Sequence, residues 1–149
     1  MTSELSVNRR ARFDYEILET IEAGIELFGF EVKSAKAGHA QISGSFAVIR
    51  DNQAWLIGAT IPAYQVANAP QTYDPSRTRR LLLHKKEIKS LIGSAARKGL
   101  TMVPLKMYNK SGYVKILIGL GRHKKSTDKR EVIKQRESKR EIERTLKHT

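Results

Sequence analysis

The chain has 149 residues, with 28 Lys and Arg against 15 Asp and Glu, a formal net charge of +13. That length fits one domain with one core, and the charge fits a polyanionic partner, because a positive surface attracts phosphates at long range and gains from counterion release. There is no cysteine, which excludes disulfides, thiolate catalysis and Cys-based zinc sites, and the four histidines (His39, His84, His123, His148) show no ligand spacing. The N-terminal stretch has no apolar signal region and the apolar run Ile116–Leu120 is far too short for a bilayer, so the expectation is a soluble cytoplasmic protein with no cofactor, metal or membrane.

In chain order, Asn8-Arg9-Arg10-Ala11-Arg12 is a basic entry segment whose three arginines are spaced to follow a phosphate backbone. From Phe13 the alternation Phe13, Tyr15, Ile17 predicts a half-buried strand, although Ile17, Leu18, Ile21 and Ile25 also fit a helical stripe; Ala23-Gly24 is read as a turn or bulge. Gly29 to Gly38 predicts a short helix closed by Gly38, with Lys33 and Lys36 on one face. Residues 45–49 and 54–58 predict a hairpin turning at Asp51-Asn52.

Residues 62–80 hold Pro62, Pro70 and Pro75 without apolar periodicity and read as a long loop. Leu81–Leu83 are read as the lead into a helix with Ile88, Leu91, Ile92 and Ala95 on its apolar stripe and Gly99 as its stop; Lys85, Lys86, Lys89, Arg97 and Lys98 occupy the polar face. Residues 102–108 and 113–120 predict a second hairpin, with Pro104 at an edge or bulge. These elements predict a mainly β domain over residues 1–121, an OB-like closed antiparallel barrel with peripheral helices.

The stretch Gly119 to Arg130 marks a change of character. Residues 122–149 carry 11 Lys and Arg against 5 Asp and Glu, with Val132, Ile133, Ile142 and Leu146 as their sizeable apolar groups. That is too little to order a segment alone, so a basic tail is expected, disordered when free and helical on its partner, with Asp128 and Glu131 spaced as a capping box.

Enzymatic signatures are lacking: there is no phosphate loop and no nucleophile elbow, and Gly119-Leu120-Gly121 is not followed by an apolar helix. Glu16, Glu19, Glu22 and Glu26 suit a Mg²⁺-dependent nuclease on paper, yet the same spacing is a solvated surface. Glu22 and Glu31 are candidates for accepting from base amino groups, weighed against salt bridges to neighbouring lysines. Tyr15, Phe46, Trp55, Tyr64, Tyr73 and Tyr108 suit base stacking but at strand spacing read as core, with Trp55 at least half buried.

Several motifs then occur together: Asn8-Arg-Arg-Ala-Arg-Phe-Asp-Tyr, Glu22-Ala-Gly, Gly29-Phe-Glu-Val-Lys-Ser, Asp74-Pro-Ser-Arg-Thr-Arg-Arg-Leu-Leu-Leu-His, Gly99-Leu-Thr-Met-Val-Pro-Leu and Lys124-Lys-Ser-Thr-Asp-Lys-Arg-Glu. In this order they resemble the SmpB family of bacterial SsrA-binding proteins. The resemblance implies a monomeric non-enzyme that binds the tRNA-like domain of transfer-messenger RNA and delivers it to stalled ribosomes, in place of an anticodon stem. It implies an RNA-binding surface at Asn8, Glu22, Glu31, Lys33, Lys36 and Leu82, with Arg77, Arg79 and Arg80 as neighbouring phosphate contacts; the entry-segment Arg9, Arg10 and Arg12, with Lys124 and Lys125, complete the expected RNA-binding set. It places Asp128, Lys129 and Arg130, with Lys134 and Arg136, at the small-subunit decoding region, and the tail along the mRNA path. His123 stands where the family usually has glycine, and Phe13 where it often has histidine. The rival reading is a general OB-type RNA-binding or ribosomal protein.

Overall fold

The computed structural model describes residues 2–65 and 69–125 and, in the tail, Arg130, Ile133, Lys134, Arg136, Glu137 and Arg140; the side chains of residues 97 and 98 are not described. Ten elements follow in the order β1 (Thr2–Val7), α1 (Ala11–Asp14), β2 (Tyr15–Ile25), α2 (Gly29–Lys36), β3 (Phe46–Arg50), β4 (Gln53–Ile57), β5 (Arg79–Leu82), α3 (Lys85–Lys98), β6 (Thr101–Lys110) and β7 (Tyr113–His123). All seven strands form one sheet of order β1-β6-β7-β2-β5-β4-β3, antiparallel at every pairing.

Both predicted hairpins form on left-handed turn residues. Asp51 and Asn52 take φ 52° and 59°, and Ser111 and Gly112 take φ 51° and 88°, so each two-residue loop twists with its flanking strands. Pro104 lies where the β6–β7 register shifts between Pro104 and Lys106, a bulge that requires no ladder donor. In α3, the Glu87 carboxylate accepts from the His84 N–H at 2.9 Å, and Gly99 at φ 62° ends the helix.

Four expectations change. Phe13 belongs to α1, and the strand starts at Tyr15. The adjacent apolar residues Ile17 and Leu18 mark a bulge, since the β2–β7 register shifts between Ile17 and Glu19 and leaves Leu18 exposed. Ala23-Gly24 is not a turn: β2 runs through it, and Gly24 lies against Leu82, whose Cβ would come within 3.2 Å of a Cβ built there. Arg79–Leu82 is a strand, not the approach to a helix, because Leu81 pairs with Ala54 and Ile25 and is buried.

The closed barrel is also corrected. Strands β1 and β3 remain edges without a ladder between them. Strand β1 pairs with β6 over Lys106–Lys110, and β3 approaches β6 without pairing. The unsealed seam is a cavity of about 340 Å³ between Ser45-Phe46 and Thr101–Val103. Inside the curl, Ile42, Leu56, Ile61, Leu81, Met107, Ile116, Ile118 and Leu120 are fully buried. Among the described residues no helix is long and apolar enough to cross a membrane, and no group of three or more His, Asp or Glu side chains is placed to hold a metal ion.

Candidate nucleic-acid interface

Strands β2 and β7 pair from Tyr15–His123 at one end to Gly24–Lys115 at the other. Nine strand steps separate these ends by roughly 30 Å. The predicted contacts divide between the two ends and a third site where loop 70–78 meets α2.

At the Gly24 end, Glu22 accepts a hydrogen bond from the Tyr108 hydroxyl and an ion pair from Lys110 Nζ at 3.2 Å. The Tyr108 hydrogen bond, with Lys110 and Lys115 nearby, holds the Glu22 carboxyl below its ordinary value despite some desolvation. Burial, and then the Glu22 anion, push the Tyr108 phenol well above the usual range. Leu82 is held outward over Gly24, and its surroundings, with Val32, Gly112, Tyr113 and Lys115, form a cavity of about 220 Å³. Lys36 Nζ donates to the Gly112 carbonyl at 2.8 Å, which brings the exposed face of α2, with Lys33, beside the β6–β7 turn. A carboxylate, an exposed leucine and four lysines (Lys33, Lys36, Lys110, Lys115) therefore share one end of the sheet. Lys110, Tyr113 and Lys115 were not singled out by the sequence reading, although the two-residue turn fixes Lys110 opposite Tyr113 and could have placed them.

At the other end, Arg9 and Arg12 are exposed, while Arg10 pairs with Asp14 at 3.3 Å and lies 4.7 Å over the Phe13 ring. Lys124 Nζ donates to the Arg12 carbonyl at 3.0 Å, so the chain entering the tail is tied to the basic entry segment, with Lys125 exposed beside it. Asn8 is buried at 5 % exposure, donates to the Pro104 carbonyl at 2.9 Å and finds no partner for Oδ1 among the described residues, so it shapes this end from beneath. His123 packs edge-on against Tyr15 with ring centres 5.0 Å apart, and its backbone has no left-handed φ that would demand glycine.

The third group differs in kind. Glu31 and Arg79 are both 0 % exposed, and the Glu31 carboxylate accepts from the Phe28 N–H at 2.8 Å, from Arg79 Nε at 2.9 Å and from both Nε and Nη2 of Arg77. Tyr73 Oη lies 2.8 Å from the same carboxylate. Arg79 also donates to the carbonyls of Ala59 at 2.9 Å, Arg77 at 3.1 Å and Pro75 at 2.8 Å. Desolvation pushes the Glu31 carboxyl up, but the hydrogen bonds from Arg77, Phe28, Arg79 and Tyr73 outweigh it and hold it below its ordinary value. Glu31 and Arg79 are therefore corrected from surface contacts to a buried ion pair that folds the proline-rich loop onto α2. Arg80 is exposed on β5 next to it. Arg130, Lys134 and Arg136 are exposed on helical backbone, whereas Asp128 and Lys129 lie outside the described residues, as does the spacing of Asp128 and Glu131.

The sequence model of the family described as SmpB protein matches residues 5–148. This chain belongs to the SmpB family. The SsrA-binding protein of Synechococcus elongatus is 53% identical over 143 residues, covering 96% of this chain and 93% of that protein. That of Gloeothece citriformis is 52% identical over 146 residues, covering 98% and 94%. A chain of the solved structure described as "tmRNA-SmpB: a journey to the center of the bacterial ribosome" superposes with a TM-score of 0.65 at 51% identity, over 80% of this chain and 84% of that one.

Proposed function

We propose that this SmpB-family chain binds the tRNA-like domain of transfer-messenger RNA and delivers it to stalled ribosomes, acting in the cytoplasm as a monomeric binding factor and not as an enzyme. The observation that carries this reading is near-full-length identity above 50% to proteins named SsrA-binding protein, together with the 51% identical solved relative whose description names tmRNA-SmpB and the bacterial ribosome.

The geometry supports a division of labour on an OB-like scaffold. Lys33, Lys36 and Lys110 at the Gly24 end and Arg80 beside the buried pair supply phosphate contacts, Leu82 reads shape, and Glu22 accepts from an exposed base or ribose group. Arg9, Arg10, Arg12, Lys124 and Lys125 extend the positive surface toward the tail. Asn8, Glu31 and Arg79 act from beneath by holding the surface in place. Asp128, Lys129 and Arg130, with Lys134 and Arg136, stand at the decoding region in place of an anticodon stem, and the remaining tail follows the mRNA path. Peptide transfer and tag templating belong to the ribosome and the RNA.

Sequencing the RNA that co-purifies with the full chain tests this directly: one dominant structured species is expected, and a broad mixture would favour a general OB-type RNA-binding protein. Replacing Asp128, Lys129 and Arg130 together by alanine tests the decoding role. It changes the net charge by one unit, because one acid and two bases are lost. Binding to the isolated RNA should stay near normal, with a salt slope altered by about one counterion at most. Tagging on stalled ribosomes should fall severely; equal losses in both assays would place this element on the RNA-binding surface instead.

A further inference from the structure

Phe28 is 52 % exposed, a large apolar ring held outward on a strongly basic chain. With Phe30, Pro70, Tyr73, Asp74 and Arg77 it lines a cavity of about 360 Å³ whose walls are mostly carbon, and which shares no residue with the cavity around Leu82. The walls are built before any ligand arrives. Tyr73 Oη lies between Glu31 and the Ile61 carbonyl, at 2.8 and 2.6 Å. Phe30 meets the Tyr73 ring edge-on at 4.8 Å between centres and stacks on Phe28 at 5.5 Å.

The Arg77 guanidinium lies 4.4 Å over the Phe28 ring and donates to the buried Glu31 carboxylate. Glu31 holds Arg77 by its Nε and Nη2 and is shared with Arg79, so the guanidinium is fixed in place with its donors engaged and offers a flat π-face to the cavity. A lone phosphate would have to compete with that carboxylate, and Asp74 on the rim repels it further. A planar uncharged ring meets neither objection. Lys33, three residues beyond Phe30 on α2 and exposed, provides a cation for a phosphate flanking such a ring. Asp74, whose Oδ1 accepts from the Ser76 N–H at 2.9 Å, favours a ring edge that carries N–H donors.

We propose that the cavity of Phe28, Phe30 and Arg77 is a stacking pocket for one unpaired base of bound RNA, a guanine or another base with N–H donors turned toward Asp74. The proposal rests on the RNA-binding function above. It is tested on the full chain with the tRNA-like RNA, using Phe28→Leu, Phe28→Ala and Phe28→Tyr. The main-chain bond from Phe28 to Glu31 survives all three changes, but Phe28→Ala and Phe28→Leu lose the ring contacts with Phe30 and Arg77, so their melting is measured beside the parent and binding is compared below the lowest transition. Phe28→Ala and Phe28→Leu should weaken binding on the order of tenfold while Phe28→Tyr retains it, and ultraviolet cross-linking should join a base to Phe28 or Phe30. Parent-like binding by Phe28→Leu, or cross-links that avoid both rings, would overturn the pocket.

A parent chain that fails to bind this RNA would instead overturn the functional reading. The pocket is then judged by titrating guanosine monophosphate into the full chain: shifted amide signals at Phe28, Phe30 and Tyr73 support it, and their absence refutes it.

Discussion

Glu31 and Glu22 look alike in the sequence, each an acid among basic and apolar neighbours, yet the fold uses them oppositely. Glu31 is sealed from water between two arginines, one of them fully buried, and its partners bind Pro75, Ala59 and Tyr73 into one loop. The Glu22 side chain keeps 36% of its surface in solvent and holds only Tyr108 and Lys110 at the rim of the sheet. The difference teaches that the same charge pairing is a condition of folding when water is excluded and a feature of the binding surface when water is retained.

The comparison breaks most sharply at Glu31. Glu31→Ala leaves Arg79 buried and uncompensated, which costs about 3–5 kcal/mol in comparable cases. Urea denaturation should show a loss of that order, and loop 70–78 should become protease-sensitive. A loss under about 1 kcal/mol would mean that Arg79 finds water or another acceptor without Glu31. Glu31→Met with Arg79→Met should be milder than Glu31→Ala, because no charge is then stranded.

Acid probes the same pair less severely. Both carboxyls titrate below their ordinary value of 4.5 in the folded chain. The unfolded chain therefore takes up these protons first as pH falls. The stability they contribute is fully present above about pH 4.5 and is lost as pH drops through their folded values. Urea midpoints measured from pH 7 to pH 3 should stay nearly level with respect to these groups down to about pH 5 and then fall. Glu22→Gln should follow almost the same curve, because the exposed rim contributes little of that slope.

At Glu22 the readout changes from stability to affinity. Glu22→Ala raises the net charge from +13 to +14, so non-specific attraction for phosphate should rise if anything. An affinity loss of about tenfold for the tRNA-like RNA is nevertheless expected, because the acceptor and the clamp on Tyr108 and Lys110 both vanish. Unchanged or tighter binding, measured by filter retention at two salt concentrations, would make Glu22 a bystander.

How far the sequence reveals this architecture depends on whether the signal is local. The Asp51-Asn52 turn and the Gly99 stop are local and are found where their residues predict them, and of the α3 stripe Ile88 and Leu91 are buried whereas Ile92 is exposed. Strand β1 has only Leu5 and Val7 as sizeable apolar residues and is defined by its partner β6, a hundred residues later. The burial of Arg79 is equally non-local, since its carboxylate partner lies 48 residues earlier. Two successive arginines on β5 read as surface until the alternation of the strand sends Arg79 inward and Arg80 out. The SmpB-family motifs locate the site region, whereas the separation of Glu31 from Glu22 needs the folded chain.

Lys110 gives the smallest and most discriminating effect. Its ammonium pairs with Glu22 at 3.2 Å but remains half exposed, and such surface pairs contribute about 0–1 kcal/mol. Lys110→Ala should therefore leave the urea midpoint almost unmoved. If Lys110 faces a phosphate in the complex, the slope of log affinity against log salt should decrease by about one contact, with a modest loss at physiological salt. If Lys110 serves only to neutralise Glu22, its removal should cost nothing once Glu22 is itself Gln, whereas a phosphate contact is lost in either background. Lys110→Ala in the Glu22→Gln background, more than the size of the loss in the parent, thus decides whether this end of the sheet holds RNA by its lysines or by the shape that Glu22, Tyr108 and Leu82 impose.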